Sequence, residues 1–518
     1  MNKFGKSWVF VLMLICLSSG WLDPAVPALA IEKKPSSEIK IVVDPRVELL
    51  SIIFRLARNN EYNQRGVIPY VENIQKYFDR FKSHPAVAMA KDLRKNFHIG
   101  FDAPMRLAIY LTDSVELKER VPFDTPGVLD SRWNAETVRG FSAEIRRFVK
   151  DADFMGFFKD NQKLYDIAVE RAKEFIRSEV HLEWFNSYFR TEHDGEFILV
   201  LAPNNGGPSY GPFFRSREGS MEYYCILGLG APLLDEHQLP TFGEMNLNTI
   251  VHEFCHSFVN PLVDRHLPEL KALGERIFPL VKTEMSRQAY GDWETMMKET
   301  FVRASVLRYI YAYKGEVAAK KDLEEQLARR FILVEKIYDS LAAYEQHQKQ
   351  YASLEAFFPH LISALNDFAD KPEEFDKIKA KLEELNARAR EEQRKRLEEL
   401  RAHPERLPKV AKTIPADGEM NVDPDLRQIR IIFDRPMRQN TLFTRVANTK
   451  FPEFTEEYGW ESQSTIHWSG VKLEPGTEYA FGLNSEQALG FADEKGNPLL
   501  PVVIRFKTRS RAPEPELE

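Results

Sequence analysis

Apolar residues recur at helical spacing throughout the first long region of the chain, residues 39–190. Amphipathic runs cover residues 47–57, 71–81, 135–158 and 162–177, and each run predicts a helix with one buried face. Few strand patterns interrupt these runs. The region is therefore predicted to be mainly helical.

Two short, continuously apolar runs follow and predict a small sheet. They occupy residues 197–201 and 223–228, and the turn-rich stretch 203–208 lies between them. The edge strand of a sheet can bind an extended peptide as one more strand. We assign that edge to residues 223–228.

The segment 369–405 is dense in charge and predicts a single charged connecting helix, which should end at His403-Pro404. A short coiled-coil strand is the alternative, because apolar residues form a seam with spacings of three and four. The seam consists of Phe375, Ile378, Leu382, Leu385 and Ala389.

The last hundred residues change character, since short apolar strands alternate there with turns. This pattern predicts a β-sandwich over residues 406–510, followed by a tail, 511–518. The predicted strands and turns are 428–433, 477–481 and 502–506, and 415–418 and 474–476.

The first 30 residues have the features of a cleavable export signal. Lys3 and Lys6 precede the apolar run Trp8–Leu17, and Val26–Ala30 contains an A-x-A cleavage pattern. The apolar run is short for a membrane span, and no later stretch approaches the roughly 20 apolar residues that a span requires. We expect an exported protein, periplasmic or extracellular, without a membrane span.

Composition narrows the classes of partner. Without residues 1–30 the chain loses two of its 71 basic and one of its 78 acidic residues, which leaves a net charge of −8. This acidic balance argues against a nucleic-acid partner. Only Cys225 and Cys255 remain, and an oxidising compartment would allow them to pair. The length predicts two to four domains but not the oligomeric state.

The strongest chemical signal is His252–His256, which reads His-Glu-Phe-Cys-His. Two histidines four positions apart on a helix can hold one zinc ion, with Glu253 beside it to take a proton from bound water. The alternative is a buried helix whose histidines bond to neighbouring carboxylates. Asn260-Pro261 is expected to end the helix. Apolar residues that should bury it are Leu247, Ile250, Val251, Phe254 and Phe258.

A catalytic zinc normally has three protein ligands and one open position, so a third ligand must come from elsewhere. The metzincin extension requires Gly at 259 and His at 262, but the chain has Val259 and Leu262. His266 lies beyond the Asn-Pro pair among charged residues and is a weak candidate. A glutamate from a following helix remains.

The amphipathic segment from Trp293 onwards predicts that helix and contains Glu294 and Glu299. Glu299 is favoured because it lies four residues before Arg303, so the arginine would share its face and orient the ligand or reach a substrate carbonyl. Glu294 lies nearer the polar start of the helix. The choice between the two glutamates stays open on these grounds.

Residues 42–365 resemble a family of exported bacterial HExxH proteins known as a domain of unknown function. The resemblance implies that His252, His256 and Glu299 are metal ligands and that Glu253 is a general base. It supplies no substrate. The segments that carry it are 44–51, 77–85, 252–261 and 293–304.

The pattern is also similar to the wider gluzincin group of zinc peptidases, in which a further His, Tyr or Arg stabilises the oxyanion. Arg303, Tyr290 and Tyr223 are candidates for this role, and Arg303 is preferred because it shares a face with Glu299. Near the C-terminus, residues 414–418 and 433–437 resemble recurring turns of a bacterial Ig-like domain. Such domains usually act as spacers or binding modules.

These observations predict an α+β protein with a mainly helical zincin-like region, a charged helix and a β-sandwich. The zincin-like region should span 31–368, with helices over 39–190, a small sheet and zinc helices over 195–315, and further helices over 320–368. We expect an exported zinc metallopeptidase in which Glu253 activates a zinc-bound water to hydrolyse peptide bonds. Hydrolysis of another amide stays open. The alternative is a non-catalytic exported binding or cell-surface protein with a structural or vestigial metal site and envelope contacts through the Ig-like domain.

Overall fold

Contacts within the chain divide it into two compact units, Met1–Glu374 and Phe375–Glu518. The predicted signal, residues 1–30, and the tail, 511–518, lie outside the described residues. Within the described part, no helix is both long and apolar enough to cross a membrane. The computed structural model describes residues 39–64, 66–112, 116–190, 195–205, 207–230, 234–438, 441–454 and 458–510.

Helices dominate the first unit up to Phe189, as the apolar spacing predicts. The predicted run 135–158 is two helices rather than one, because Asp153 adopts a left-handed conformation with φ of 44° and caps the second helix. The helices are α1 Pro45–Leu56, α2 Ile68–Phe78, α3 Pro85–Phe97, α4 Asp102–Tyr110, α5 Ala135–Asp151, α6 Phe154–Asp160, α7 Gln162–Glu179 and α8 Glu183–Phe189.

The first unit contains a four-stranded sheet in the order β1-β2-β4-β3. Three of its strands are parallel, and β3 is antiparallel to β4. The sequence predicted β2 and β4 but not β1, since three residues are too few to show a strand pattern, and pairing with distant β2 decides the conformation. The strands are β1 Lys40–Val42, β2 Gly195–Ala202, β3 Phe213–Arg215 and β4 Met221–Gly228.

The assignment of the sheet edge to residues 223–228 is wrong. Strand β4 lies inside the sheet, because β3 pairs with its first half and Tyr210 exchanges two backbone hydrogen bonds with Ile226 in its second half. The edge is therefore the segment 210–215. Gly211 and Pro212 interrupt its apolar pattern, and a glycine-proline pair is typical of a turn rather than a strand.

In the part of the chain that the structure describes, six further helical segments follow the sheet, and the one over Trp293–Ala328 is interrupted by the non-helical backbone of Gly315. The HExxH helix α9 does not end at Asn260-Pro261 as expected, and Pro261 lies inside it. An interior proline costs about 3 kcal/mol. Burial of Leu262 and Val263, each contributing about 1.5–3 kcal/mol, offsets this cost and keeps the chain helical. The helices are α9 Glu244–Arg265, α10 Leu267–Arg287, α11 Trp293–Ala328, α12 Val334–Gln346, α13 Leu354–Ala369 and α14 Pro372–Ala402.

An aromatic layer holds α9 against the sheet and α8. Phe254 and Phe258 of α9 lie 5.1 and 6.2 Å from the ring of Phe197 on β2, and both also contact Phe185 of α8. The five apolar residues predicted to bury α9 are all buried. A helix packed on this side has little freedom to rotate, so the direction of its histidines is well defined.

The second unit begins within α14, which ends at Ala402 immediately before His403-Pro404, as predicted. It contains two four-stranded sheets, β10-β11-β7-β5 and β6-β14-β13-β8, and a two-stranded pair, β12-β9. Trp468, Phe481 and Phe491 lie in its buried core. The strands are β5 Val410–Ile414, β6 Glu419–Val422, β7 Gln428–Phe433, β8 Phe443–Arg445, β9 Glu453–Phe454, β10 Tyr458–Ser462, β11 Thr465–Ser469, β12 Val471–Lys472, β13 Glu478–Leu483 and β14 Val502–Thr508.

Buried Glu48 on α1 should make the stability of the first unit depend on pH. Its carboxylate accepts a hydrogen bond from Tyr70 at 2.8 Å, yet burial outweighs this bond and the attraction of Arg55 and raises the pKa of Glu48 to about 8. A raised pKa stabilises the fold below the ordinary value of 4.5, and this stabilisation is lost as the pH rises to about 8.

We therefore expect the free energy of unfolding to fall by a few kcal/mol, on the order expected for a buried carboxyl, between mildly acidic and mildly alkaline pH. Glu48→Gln, which has no titratable group, should flatten this dependence. Urea denaturation of both proteins across the pH range measures the difference. Parallel pH profiles would contradict the assignment to Glu48.

Candidate metal centre

The structure brings His252, His256 and Glu299 together, on α9 and α11. The two histidine Nε2 atoms lie 3.1 Å apart. Glu299 places one carboxylate oxygen 3.3 Å from His252 Nε2 and the other 3.5 Å from His256 Nε2. Among the described residues, this is the one cluster of His, Cys, Asp or Glu side chains identified as able to hold a metal ion.

The separations between these donor atoms fit a tetrahedral metal. Zinc bonds to histidine nitrogen and carboxylate oxygen are about 2.0–2.2 Å long, and donors at tetrahedral angles on such bonds lie about 3.3–3.6 Å apart. The separations of 3.1, 3.3 and 3.5 Å lie close to this range, and the last two are measured to the two different carboxylate oxygens of Glu299. The donor set, two nitrogens and one carboxylate, is also one that zinc prefers.

Neighbouring side chains hold two members of the cluster in position. The other ring nitrogen of His256, Nδ1, lies 3.3 Å from the side-chain oxygen of Asn260, one helical turn further along α9. Glu299 accepts a hydrogen bond from Tyr290 at 2.9 Å and pairs with Arg303 at 2.6 Å. Partners of this kind fix the orientation of metal ligands and tune their basicity.

The protonation states of His252 and Glu299 suit metal binding. Burial lowers the pKa of His252 to about 3, so its imidazole is neutral at neutral pH. Burial alone would raise the pKa of Glu299, but the attraction of His252 and Arg303 outweighs it and lowers the pKa to about 2. Because His252 is neutral at neutral pH, Arg303 is the cation that keeps Glu299 ionised there.

Glu253 lies on the same helix, beside the cluster and next to the edge of the sheet. Burial and the negative charge of Glu299 raise the pKa of Glu253 well above its ordinary value. Gly211 in the edge segment lies so close that a Cβ atom there would be 1.9 Å from the Glu253 carbonyl oxygen. The Ser257 hydroxyl also donates to the Gly211 carbonyl at 3.3 Å. The edge segment therefore runs directly over the HExxH helix.

The weaker ligand candidates lie apart from the cluster. Glu294 is exposed in the first turn of α11, whereas Glu299 is 4 % exposed. His266 is the residue between α9 and α10, where it lies 3.4 Å from Glu269 and against the ring of Phe358. The chain returns to the cluster through α10, which has 21 residues.

The three oxyanion candidates have different surroundings. Tyr290 and Arg303 both bond to Glu299, and Arg303 also donates to Gln326 at 2.6 Å. Tyr223 is buried and packs against Phe258, with 4.5 Å between ring centroids. Arg303 and Tyr290 are thus placed as positioning residues for Glu299. Tyr223 belongs to the packing between sheet and helix.

Cys225 on β4 and Cys255 on α9 are both buried and both free, so the structure does not contain the disulfide considered from composition. Burial raises the pKa of each thiol well above its ordinary value. Cys255 does not belong to the metal-binding cluster, as its position between the histidines indicated. Both cysteines serve as small apolar residues of the core.

Several residues at the site were not predicted from the sequence. Asn260 carried a usable signal, since it lies four positions after His256 on the same helical face. Gly211, Gln326 and Arg329 carried none, because only tertiary packing brings the edge segment and the C-terminal end of α11 to the cluster.

The fold and site define an α+β protein with a two-histidine, one-glutamate cluster, followed by a long helix and a β-sheet region. The chain belongs to the family described as a domain of unknown function (DUF4932), whose model matches residues 39–364. Residues 404–508 match the bacterial Ig-like domain. The matches confirm the resemblance of the first region to a domain of unknown function and that of the C-terminal region to a bacterial Ig-like domain. No curated protein matches the chain.

Proposed function

We propose that this protein is an exported zinc-dependent metallopeptidase of gluzincin type, with zinc held by His252, His256 and Glu299. The observation that carries the proposal is the close approach of these three side chains, with nitrogen and oxygen atoms 3.1, 3.3 and 3.5 Å apart, together with a glutamate next to the first histidine. Export is proposed from the signal-like residues 1–30 and from the bacterial Ig-like domain.

Zinc, when bound, lowers the pKa of a coordinated water and polarises a substrate carbonyl. Glu253 is the group that takes the proton from the attacking water and passes it to the leaving amine. Hydrolysis breaks the C–N bond and adds the elements of water to its two ends. His252 and His256 act as nitrogen ligands, and Arg303 and Tyr290 keep the carboxylate of Glu299 ionised and oriented.

An extended peptide is the substrate that suits the edge segment 210–215. In the described sheet no strand pairs with the outer side of this segment, so its outward backbone groups are available to one more strand. Gly211 lies against the backbone carbonyl of Glu253, so the edge segment passes over the helical turn that carries the general base. This geometry supports peptide hydrolysis over hydrolysis of a compact amide.

Metal analysis tests the proposal directly. We expect about one zinc ion per purified chain and cleavage of peptides in a mixed library, both lost after chelation and restored by added zinc, because the ion completes the site. Elemental analysis and mass spectrometry of the library measure the two effects. Protein that binds no zinc, or cleavage that continues after complete chelation, would favour the non-catalytic alternative.

A further inference from the structure

A guanidinium group lies close to the metal-binding cluster without belonging to it. Arg329 follows directly after α11 and is exposed. Its Nε donates to the side-chain oxygen of Gln288 at 3.1 Å, and the Gln288 amide donates back to the Arg329 carbonyl at 3.0 Å. This reciprocal pair holds the Nε atom of Arg329 in place. The two terminal nitrogens of the guanidinium form no hydrogen bond in the described part of the chain.

Short contacts connect this pair to the cluster. Tyr290, two residues after Gln288, donates to Glu299 and lies 5.6 Å from the ring of Phe331. The guanidinium of Arg303 lies 4.3 Å from the same ring. Arg329, two residues before Phe331, is near enough to act electrostatically on both His252 and Arg303. The α10–α11 loop and the end of α11 thus place a second cation beside the cluster.

The charges around Arg329 leave it without a neutralising partner. Glu299 is already paired with Arg303 at 2.6 Å. Asp322 attracts Arg329 from the same helix end, with Glu325 beside Asp322, but neither forms an ion pair with Arg329 within the described residues. Arginine stays charged in proteins, so Arg329 is an exposed positive charge without an ion-pair partner in the described part of the chain.

We propose that Arg329 is a specificity-determining residue that binds a carboxylate of the peptide substrate. This proposal rests on the proposed peptidase function and names a feature of its substrate. A guanidinium with two free terminal nitrogens matches a carboxylate in a bidentate, charge-assisted arrangement. The carboxylate in question is the C-terminal one, which gives the enzyme a preference for cleavage near free C-termini.

The surroundings of Arg329 suit binding of a substrate group that lies away from the scissile bond. Arg303 contacts Glu299 directly, whereas Arg329 is held outside this contact by Gln288. A developing oxyanion forms at the metal, next to the ligands themselves. A carboxylate one residue further along the substrate lies outside that position, and binding it is the role assigned to Arg329.

The test uses a random hexapeptide pool synthesised once with free C-terminal carboxylates and once as C-terminal amides. The zinc-loaded Glu253→Gln protein should retain the free acids over the amides in equilibrium dialysis, since it binds peptides without cleaving them. Adding Arg329→Gln should lower the retention of the free acids by about 10- to 100-fold and so abolish the preference, while retention of the amides changes little. In the protein that keeps Glu253 and cleaves peptides, Arg329→Gln should raise KM for the free acids and leave kcat unchanged.

Arg287→Gln is the matched control, because it removes an equally basic side chain at the end of α10 whose ion-pair partner is Glu284. It should leave the preference intact. Three results would overturn the proposal. Arg329→Gln could lower the retention of free acids and amides equally, or it could lower kcat alone. The protein without this substitution could also show no preference for the free acids. If peptides are retained selectively but wild-type protein cleaves none, the peptidase function fails and the carboxylate site stands.

Arg329 also follows the C-terminal end of a helix, where a cation stabilises the fold by about 0.3–1 kcal/mol. This structural role predicts a change in melting temperature without a change in peptide preference. Arg329→Lys separates the two roles, since it keeps the charge at the helix end but loses the bidentate geometry. A lysine variant with the full wild-type preference would overturn the bidentate carboxylate contact.

Discussion

Peptide cleavage should fall by about 100- to 10,000-fold when Glu253 is replaced by glutamine, the range expected for loss of a general base. Glutamine has nearly the same shape but cannot take a proton from water. Zinc should remain bound, because Glu253 is not among the three clustered donors. Cleavage rates and zinc content, measured on the same preparations, give the two results.

This substitution is informative because the two readouts separate function from folding. A variant with full zinc content and no activity assigns the proton transfer to Glu253. A variant that keeps wild-type activity would contradict the peptidase mechanism, whatever its zinc content. Glu294→Gln is the matched control, since it makes the same chemical change at an exposed position of α11.

Replacing Glu299 should have the second large effect, a loss of zinc affinity. Removing a residue that hydrogen-bonds to a metal ligand typically lowers metal affinity by about 10- to 100-fold. Removing a ligand itself should therefore lower the affinity by more than about 100-fold. Glu294→Ala should leave affinity unchanged. Competition with a chromogenic zinc chelator measures both constants.

Folding must be controlled in this experiment, because Glu299 is buried and paired with Arg303. Glu299→Ala leaves a buried arginine unpaired, and breaking a buried pair costs about 3–5 kcal/mol. Glu299→Gln keeps the volume and an acceptor for Tyr290, and circular dichroism should show an intact fold. Wild-type zinc affinity in a folded Glu299→Gln protein would exclude Glu299 as a ligand.

The cluster shows how far local sequence patterns reach. His252 and His256 were predicted as a pair because helical geometry alone sets their spacing. Glu299 was favoured over Glu294 from its distance of four residues to Arg303, and the structure places it, buried, at the histidines. Asn260 had the same spacing to His256 and was missed.

Other features needed information that no local pattern contains. The edge segment 210–215 carries glycine and proline, so its strand character depends on pairing with β4. Strand β1 has three residues and depends on β2, more than 150 positions later. The helix α9 continues through Pro261 because buried neighbours outweigh the lost hydrogen bond.

By itself the sequence determined the helical character of the first region, the β-rich C-terminal unit and the paired histidines with their glutamate, because these depend on periods of two or about 3.6 residues. Only the tertiary structure decided which strand forms the edge, that both cysteines stay free, and which side chains surround Glu299. Gln326 and Arg329 reach the site through contacts between elements distant in sequence, and such contacts depend on packing rather than on local spacing.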